Sequence, residues 1–221
     1  MADLDPSLVR AEVVDLRDRR HARPAQVVVD TNVLYFVFYP GFPALAHAGG
    51  RGPQHYQTQT YPAWWKQAAK AGTKLFISAA SLSEFVTLAE ATELEAMWLT
   101  DPNRPANSSF SRKDARYQYA SQLANNRQGV LTLVQQIQKS VDVLPAFRDP
   151  DNGLSRISAV WQSSLTDFND AAMVANANYG SIPHILTDDI DLVTIAGIRV
   201  YTANDRAIRA ATAAGTLVPT K

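Results

Sequence analysis

The run Val27-Val28-Val29 constrains the fold of this chain more than any other stretch, and it ends in the carboxylate of Asp30. Three consecutive β-branched residues are typical of a strand buried on both faces, as in a parallel sheet covered by helices. In open α/β sheets, ligands bind outside the carboxyl ends of the strands. Asp30 therefore stands where a functional site is expected, although a buried aspartate can also do no more than cap the next helix.

Strand and helix patterns alternate along the rest of the chain. Residues 6–20 fit a short amphipathic helix, a long helix is expected over 112–140, and a last helix follows residue 203. We predict a three-layer α/β/α sandwich with a central, mostly parallel sheet of about five strands. The strands after the first are expected at residues 74–78, 141–144, 184–187 and 198–201.

The chain has 221 residues, enough for one sizeable core. A hydrophobic fraction of 46% with 19% charged residues is typical of a globular domain. We predict an N-terminal helix and linker over 1–25, a main domain over 26–202 and a C-terminal helix or tail over 203–221. The main domain carries insertions near 39–60 and 100–128, which contain few acidic residues.

The composition limits the chemistry of any site. The chain has no cysteine, which excludes disulfides, thiolate zinc sites and a cysteine nucleophile. It has four histidines, and no two have the close spacing of a zinc site on a helix. Oxygen ligands remain, and they favour Mg²⁺ or Mn²⁺. No apolar run approaches the roughly 20 residues that span a bilayer, and the N-terminus does not resemble a signal peptide, so we expect a cytoplasmic protein without membrane contact.

Four acidic residues stand at positions that this fold brings to one edge of the sheet. Asp30 ends the first strand, Glu84 opens the helix after the second, Asp170 lies in the first turn of a late helix, and Asp189 follows the fourth strand. Carboxylates crowded in this way repel one another unless cations compensate them. The group therefore predicts a magnesium site, and two such ions can hydrolyse a phosphodiester.

These positions lie in motifs that resemble the PIN-domain nucleases, a family that includes the ribonuclease toxins of bacterial toxin-antitoxin pairs. The resemblance covers roughly residues 26–202, with the additions near 39–60 and 100–128 making the chain longer than the compact toxins. Its motifs, in order, are Val-Val-Asp30-Thr31-Asn32-Val-Leu, Ser81-Leu-Ser-Glu84-Phe, Asp167-Phe-Asn-Asp170-Ala-Ala-Met-Val-Ala, Leu186-Thr187-Asp188-Asp189-Ile-Asp191-Leu and Gly197-Ile-Arg-Val-Tyr.

The resemblance implies cleavage of single-stranded RNA with Mg²⁺ or Mn²⁺. The metal-binding and catalytic residues would be Asp30, Glu84, Asp170 and Asp189. Hydrogen bonds from supporting residues would orient these carboxylates, and the supporting set is Thr31, Asn32, Asp167 and Thr187. The resemblance also implies a homodimer and an antitoxin-type protein partner as possible assemblies.

Each assignment has a structural alternative. Ser81 and Glu84 also fit a capping box, and Asp167 and Asp170 also suit a helix N-terminus through the helix dipole. Thr31 and Asn32 can cap the helix after the first strand. The Thr-x-Asp pattern selects Asp189 for the fourth position, for which its neighbours Asp188 and Asp191 compete.

The segment after residue 110 is basic and aromatic, and we assign it to RNA binding through Arg112, Lys113, Arg116 and Tyr117. A solvated helix face explains the same residues. The predicted function is a metal-dependent endoribonuclease. Two alternatives remain: a catalytically silent PIN-like domain that binds RNA or a protein partner, and another Mg²⁺-dependent phosphohydrolase with Asp30 as its nucleophile. The latter chemistry usually has a second carboxylate at the position of Asn32.

Overall fold

A computed structural model of the chain describes residues 4–47, 49–50, 52–104 and 108–220. Among these residues, six strands form one sheet in which every neighbouring pair is parallel. In chain order the strands are β1 (Glu12–Asp15), β2 (Gln26–Val29), β3 (Lys74–Ile77), β4 (Asp142–Val143), β5 (His184–Leu186) and β6 (Arg199–Thr202).

Helices cover both faces of this sheet, which confirms the predicted three-layer α/β/α sandwich. Within the described ranges, no helix combines the length and the apolar character needed to cross a membrane. In chain order the helices are α1 (Thr31–Phe38), α2 (Phe42–His47), α3 (His55–Lys70), α4 (Ala79–Thr100), α5 (Arg112–Gln118), α6 (Ala120–Gln138), α7 (Pro150–Gln162), α8 (Phe168–Tyr179) and α9 (Asp205–Ala214).

The strand β2 is buried on both faces, as its apolar run predicts. Val27 and Val29 pack into a cluster with residues of α1, α3, α4 and α6 on one face. Val28 packs on the other face with residues of α8 and α9. All three valines are fully buried. Alternate residues of β2 therefore pack into the apolar clusters on opposite faces of the sheet, so the end of β2 lies between the two helix layers.

The order of the strands is β1-β6-β5-β2-β3-β4. From β2 the chain moves outward through β3 to β4, and it then returns to the opposite side of β2 to form β5 and β6. The direction of winding thus reverses between β2 and β5. In open α/β sheets this switch point leaves a crevice at the carboxyl ends of the two strands, where ligands bind.

The prediction of a helix over residues 6–20 is wrong. The segment contains a short 3-10 turn (Pro6–Leu8) and the strand β1, which pairs with β6 at the edge of the sheet. Val13 and Val14 are buried on opposite faces of the sheet, in the period of two that a strand requires. This adds a sixth strand, and the sheet begins within the segment that the sequence sets apart as helix and linker.

The single helix expected over residues 112–140 is two helices. It breaks at Tyr119, whose φ of −106° and ψ of 27° leave the helical range. The Tyr119 side chain is buried, and its hydroxyl donates a 2.9 Å hydrogen bond to Asp101 Oδ2. The predicted insertions contain α2, the start of α3, α5 and half of α6; residues 48, 51 and 105–107 of these segments lie outside the described residues.

Candidate carboxylate site

The switch point between β2 and β5 carries Asp30 and Thr187, each one residue beyond its strand. Thr187 Oγ1 donates a 2.6 Å hydrogen bond to Asp30 Oδ2, which ties the two strand ends together. Asp30 is also the N-cap residue of α1, but its side chain makes no capping hydrogen bond. Helix capping therefore does not explain why an aspartate stands at position 30. The suggestion that Thr31 caps α1 is wrong, because Thr31 is the first residue of the helix.

Thr31 links the first turn of α1 to Glu84. Its hydroxyl donates a 2.8 Å hydrogen bond to Glu84 Oε2, as the supporting role predicts. The capping alternative for Glu84 is wrong, because the N-cap of α4 is Ser78, whose side chain accepts the backbone N–H of Ser81. Glu84 lies inside the helix with an exposed side chain. It stands in the first two turns of α4, on the side facing α1.

Asp189 lies in the turn after β5. Its backbone N–H donates to Thr187 Oγ1 at 2.8 Å, and its Oδ1 accepts the backbone N–H of Asp191 at 2.8 Å. Thr187 thus contacts both Asp30 and Asp189, which fixes the turn relative to β2. Asp191 begins a short 3-10 turn and is half-buried beside Asp189.

Asp167 and Asp170 stand at the start of α8. Asp167 is the N-cap residue, and its Oδ1 accepts the backbone N–H of Asp170 at 2.9 Å. The capping role proposed for Asp167 is therefore present. Asp170 is half-buried in the first turn, and its side chain is not used in the cap. Of the two, Asp170 is the carboxylate available to a ligand.

The electrostatics connect the four predicted carboxylates. Burial raises the pKa of Asp30 to about 7, with further increases from Asp189 and Glu84 that the Thr187 hydrogen bond partly offsets. Burial also raises the pKa of Asp170 to about 8, with added repulsion from Asp30, Asp167, Asp189 and Glu84. The pKa values of Asp30 and Asp170 are thus raised in part by neighbouring carboxylates, which is the expected consequence of their placement at one sheet edge.

The carboxylates are not gathered around a single point. Among the described residues, no three acidic or histidine side chains lie close enough together to hold a metal ion as they stand. Repulsion between like charges favours separated side-chain rotamers when no cation lies between them. The donors are all oxygens, carried at the same edge by four different elements of the fold, and oxygen donors suit Mg²⁺ and Mn²⁺.

Asp188 plays a different role from its neighbour Asp189. Its carboxylate is buried and faces α3, where Tyr61 donates to Oδ1 at 2.6 Å and Gln57 donates to Oδ2. Tyr56 lies 3.1 Å from both carboxylate oxygens. Burial raises the pKa of Asp188, and these three hydrogen bonds oppose the rise. Asp188 is thus held by α3, whereas the side chain of Asp189 makes no hydrogen bond to α3.

The contacts of α3 are the part of the site that the sequence analysis missed. Besides Asp188, the Tyr61 hydroxyl meets the backbone oxygen of Thr187 at 3.1 Å and accepts the backbone N–H of Ala203 at 3.0 Å. It thereby holds the ends of both β5 and β6. The only local signal is the spacing of Gln57 and Tyr61, four residues apart on one helix face.

The remaining predicted residues are Asn32 on α1 and four residues of α5. Asn32 is half-buried in α1, and its side chain makes no hydrogen bond to the other described residues. On α5, the side chains of Arg112, Lys113 and Tyr117 are exposed. Arg116 is committed to an ion pair with Glu90 of α4. The structure therefore leaves three of the four predicted RNA-binding side chains of α5 free for a ligand.

An exposed aromatic pair lies next to Asp167. Trp161, near the end of α7, is 50% exposed, and Phe168, the first residue of α8, is 44% exposed. Their rings meet edge to face with centroids 5.9 Å apart. Exposed aromatic rings are suited to stacking on unpaired bases. The sequence analysis did not select them, because a Trp and a Phe seven residues apart equally fit a buried face.

No protein-family model, curated protein or solved structure matches this chain. The class of protein is therefore set by the fold and the site: an α/β protein with a fully parallel sheet and oxygen donors at its switch point. Function is inferred from the carboxylates of that switch point.

Proposed function

We propose that this protein is a metal-dependent endoribonuclease of the PIN-domain type, which cleaves single-stranded RNA. The observation that carries the proposal is the placement of acidic residues at the carboxyl edge of the sheet, with Asp30 tied to the end of β5 by Thr187 and Asp170 at the start of α8. Burial and the neighbouring carboxylates raise the pKa of Asp30 to about 7 and that of Asp170 to about 8. No basic side chain of the described residues bonds to either carboxylate. Titratable groups perturbed by burial and by one another are characteristic of functional sites.

The donor atoms of these residues are of the type that a hard divalent cation prefers, and their side chains would have to converge around the ion. Asp30, Glu84, Asp170 and Asp189 would hold it, and each offers oxygen only. Its charge would remove the mutual repulsion that raises the pKa values of Asp30 and Asp170. A bound Mg²⁺ or Mn²⁺ supplies a water of lowered pKa and stabilises negative charge on the phosphate being cleaved.

The side chains around these carboxylates hold them in place. Thr187 fixes one oxygen of Asp30, and Thr31 fixes one oxygen of Glu84. Asp189 is set by its turn, since its own carboxylate accepts a backbone N–H from Asp191. In each case the second carboxylate oxygen keeps a free lone pair for a ligand. Partners of this kind orient ligating carboxylates and commonly affect both metal affinity and activity.

Two features favour a single-stranded nucleic acid as the substrate. The aromatic pair Trp161 and Phe168 offers exposed ring faces next to the N-terminus of α8, and unpaired bases can stack on such rings. The exposed basic residues Arg112 and Lys113 can neutralise backbone phosphates without reading sequence. Preference for RNA over DNA follows from the resemblance to the PIN-domain nucleases.

The test is cleavage of labelled single-stranded RNA and DNA by the purified protein with Mg²⁺, Mn²⁺ or EDTA. The matched pair of variants is Asp170→Asn and Asp142→Asn, because Asp142 is exposed on β4. We expect cleavage of RNA that needs the metal, persists in Asp142→Asn and is lost in Asp170→Asn. Release of inorganic phosphate from phosphomonoesters without cleavage of either polymer would instead favour the phosphohydrolase. Metal-independent RNA binding that Asp170→Asn leaves intact, without cleavage, would favour the silent binding domain.

A further inference from the structure

The connection from β1 to β2 forms a basic cavity on the surface of α3. The connection, residues 16–25, contains no helix and no strand. The cavity has a volume of about 290 Å³. Its polar and aromatic lining is Arg17, Arg19, Arg23, Gln59, Thr60, Trp64 and Gln67. No carboxylate lines it, so the cavity offers mainly hydrogen-bond donors.

The three arginines of the cavity differ in what they already bind. Arg17 pairs with Asp15, with Nη2 2.7 Å from Oδ2, and with Asp205. Arg23 donates from Nη1 to the backbone oxygen of His21 at 3.0 Å and from Nη2 to Gln67 Oε1. Arg19 is exposed and makes no hydrogen bond or ion pair to any residue that the structure describes. One guanidinium of the three is thus available in full to an anion.

Two buried donors of the cavity residues also lack partners. The indole Nε1 of Trp64 and the Nε of Arg23 are buried without a hydrogen bond. The guanidinium of Arg23 lies over the ring of Trp64, 5.6 Å from its centroid. Buried N–H groups normally have an acceptor, and leaving one without an acceptor is unfavourable. Both groups belong to residues that line the cavity.

The cavity is connected to the carboxylate site along the carboxyl edge of the sheet. Arg17 follows the end of β1 and contacts Asp205, the first residue of α9. The preceding residue, Asn204, donates from Nδ2 to the backbone oxygen of Asp188 at 2.7 Å. Three strand spacings separate β1 from β2, roughly 14 Å in total. A strand of a few nucleotides can therefore contact both places.

We propose that this cavity binds a phosphate group of the RNA strand, a few nucleotides from the bond that is cut. Guanidinium groups bind phosphate oxygens through two parallel hydrogen bonds, which suits the arginines here. The inference rests on the proposed function for its source of phosphate. It adds a second anchor on the opposite side of the site from α5.

Arg19 and Arg20 provide a matched pair for the test. Both are exposed arginines on the same connection, but Arg20 pairs with Asp18 and does not line the cavity. Binding of labelled single-stranded RNA is measured in EDTA, so that no cleavage occurs. We expect Arg19→Ala to weaken binding by about tenfold and to reduce the salt dependence by about one phosphate contact. Arg20→Ala should change binding by less than about twofold.

The outcomes separate this inference from the proposed function. Arg19-dependent RNA binding without any metal-dependent cleavage would support the phosphate site and overturn the nuclease. Metal-dependent cleavage with equal RNA binding by wild type, Arg19→Ala and Arg20→Ala would overturn the phosphate site and leave the nuclease. Inorganic phosphate and a mononucleotide are tested as further ligands, and their binding is measured as a rise in the unfolding temperature. Arg19-dependent stabilisation by these alone, without RNA binding, would overturn the assignment to a nucleic-acid strand.

Discussion

Two buried carboxylates in this molecule have opposite electrostatic surroundings. Asp30 at the switch point is 4% exposed, and Glu90 on α4 is 7% exposed. Burial raises the pKa of both, but at Glu90 hydrogen bonds from Arg116 and Arg127 more than offset that effect and lower the pKa. At Asp30 the nearest charges are negative, and the pKa rises to about 7.

The different surroundings of Glu90 and Asp30 suit different roles for the two carboxylates. Glu90 joins α4 to α5 and α6, because Arg116 and Arg127 come from those two helices. Its charge is balanced within the fold, as expected of a structural residue. Asp30 receives one hydroxyl from Thr187 and no cation from the described residues. Under the proposed function, the charge of Asp30 is balanced by a divalent cation that the fold itself does not supply.

The largest expected effect of this contrast is on the rate of RNA cleavage. Asp30→Asn should lower the rate on the order of 1000-fold, because it removes a charged ligand at the site. Glu90→Gln keeps the shape of a side chain remote from the site and should change the rate by less than about threefold. Initial rates at saturating Mn²⁺, with folding checked by circular dichroism, measure both. An equal loss of cleavage rate in Asp30→Asn and Glu90→Gln would show that the two carboxylates do not differ in function.

A smaller effect is expected from the hydroxyl that orients Asp30. Thr187→Val keeps the side-chain shape but removes the donor to Asp30 Oδ2, so the metal concentration for half-maximal rate should rise about 10–100-fold. Thr132→Val is the control, since Thr132 is exposed on α6. A titration of the cleavage rate with Mn²⁺ measures the shift. If Thr187→Val titrates as the wild type does, Thr187 does not position the carboxylate.

The smallest effect is on stability and its pH dependence. An aspartate with a raised pKa in the folded state binds more protons there than in the unfolded chain, where the pKa is about 3.9. The stability of the metal-free protein should therefore fall as pH rises from about 4 to about 8. In EDTA at pH 8, Asp30→Asn should be more stable than wild type by on the order of 1 kcal/mol.

Glu90 should behave in the opposite way in the same experiment. Its lowered pKa contributes stability at neutral pH that is lost as pH falls below about 4. Glu90→Ala leaves Arg116 and Arg127 without their partner and should lose about 1–3 kcal/mol at pH 8. Urea unfolding at several pH values gives both numbers. If Asp30→Asn and Glu90→Ala changed the free energy of unfolding at pH 8 in the same direction, the proposed difference between the two carboxylates would be wrong.

The sequence predicts the parts of the site that depend on local pattern. The run Val27–Val29 with Asp30 at its end is confirmed as a buried central strand, because three β-branched residues fit few other environments. The start of α8 at Asp167 and Asp170 is also close to its predicted position, since N-cap chemistry is local.

Features that depend on distant partners could not be predicted. The apolar residues of 6–20 fit a helix, and only the pairing of β1 with β6 makes Val13 and Val14 a strand. Arg116 has the same character as its neighbours on α5, and only the position of Glu90 removes it from the exposed set. The hydrogen bond from Tyr61 to Asp188 likewise joins residues that are far apart in the chain.

The most direct test of the central claim is the proton release that accompanies Mn²⁺ binding. Titration calorimetry at pH 7 in buffers of different ionisation enthalpy gives the number of protons released per ion. Because the pKa values of Asp30 and Asp170 are about 7 and about 8, a cation that binds there displaces protons. We predict release of about one proton per site, reduced in Asp170→Asn and unchanged in Glu90→Gln. Binding without proton release, or no binding, would contradict the claim that these carboxylates form a cation site.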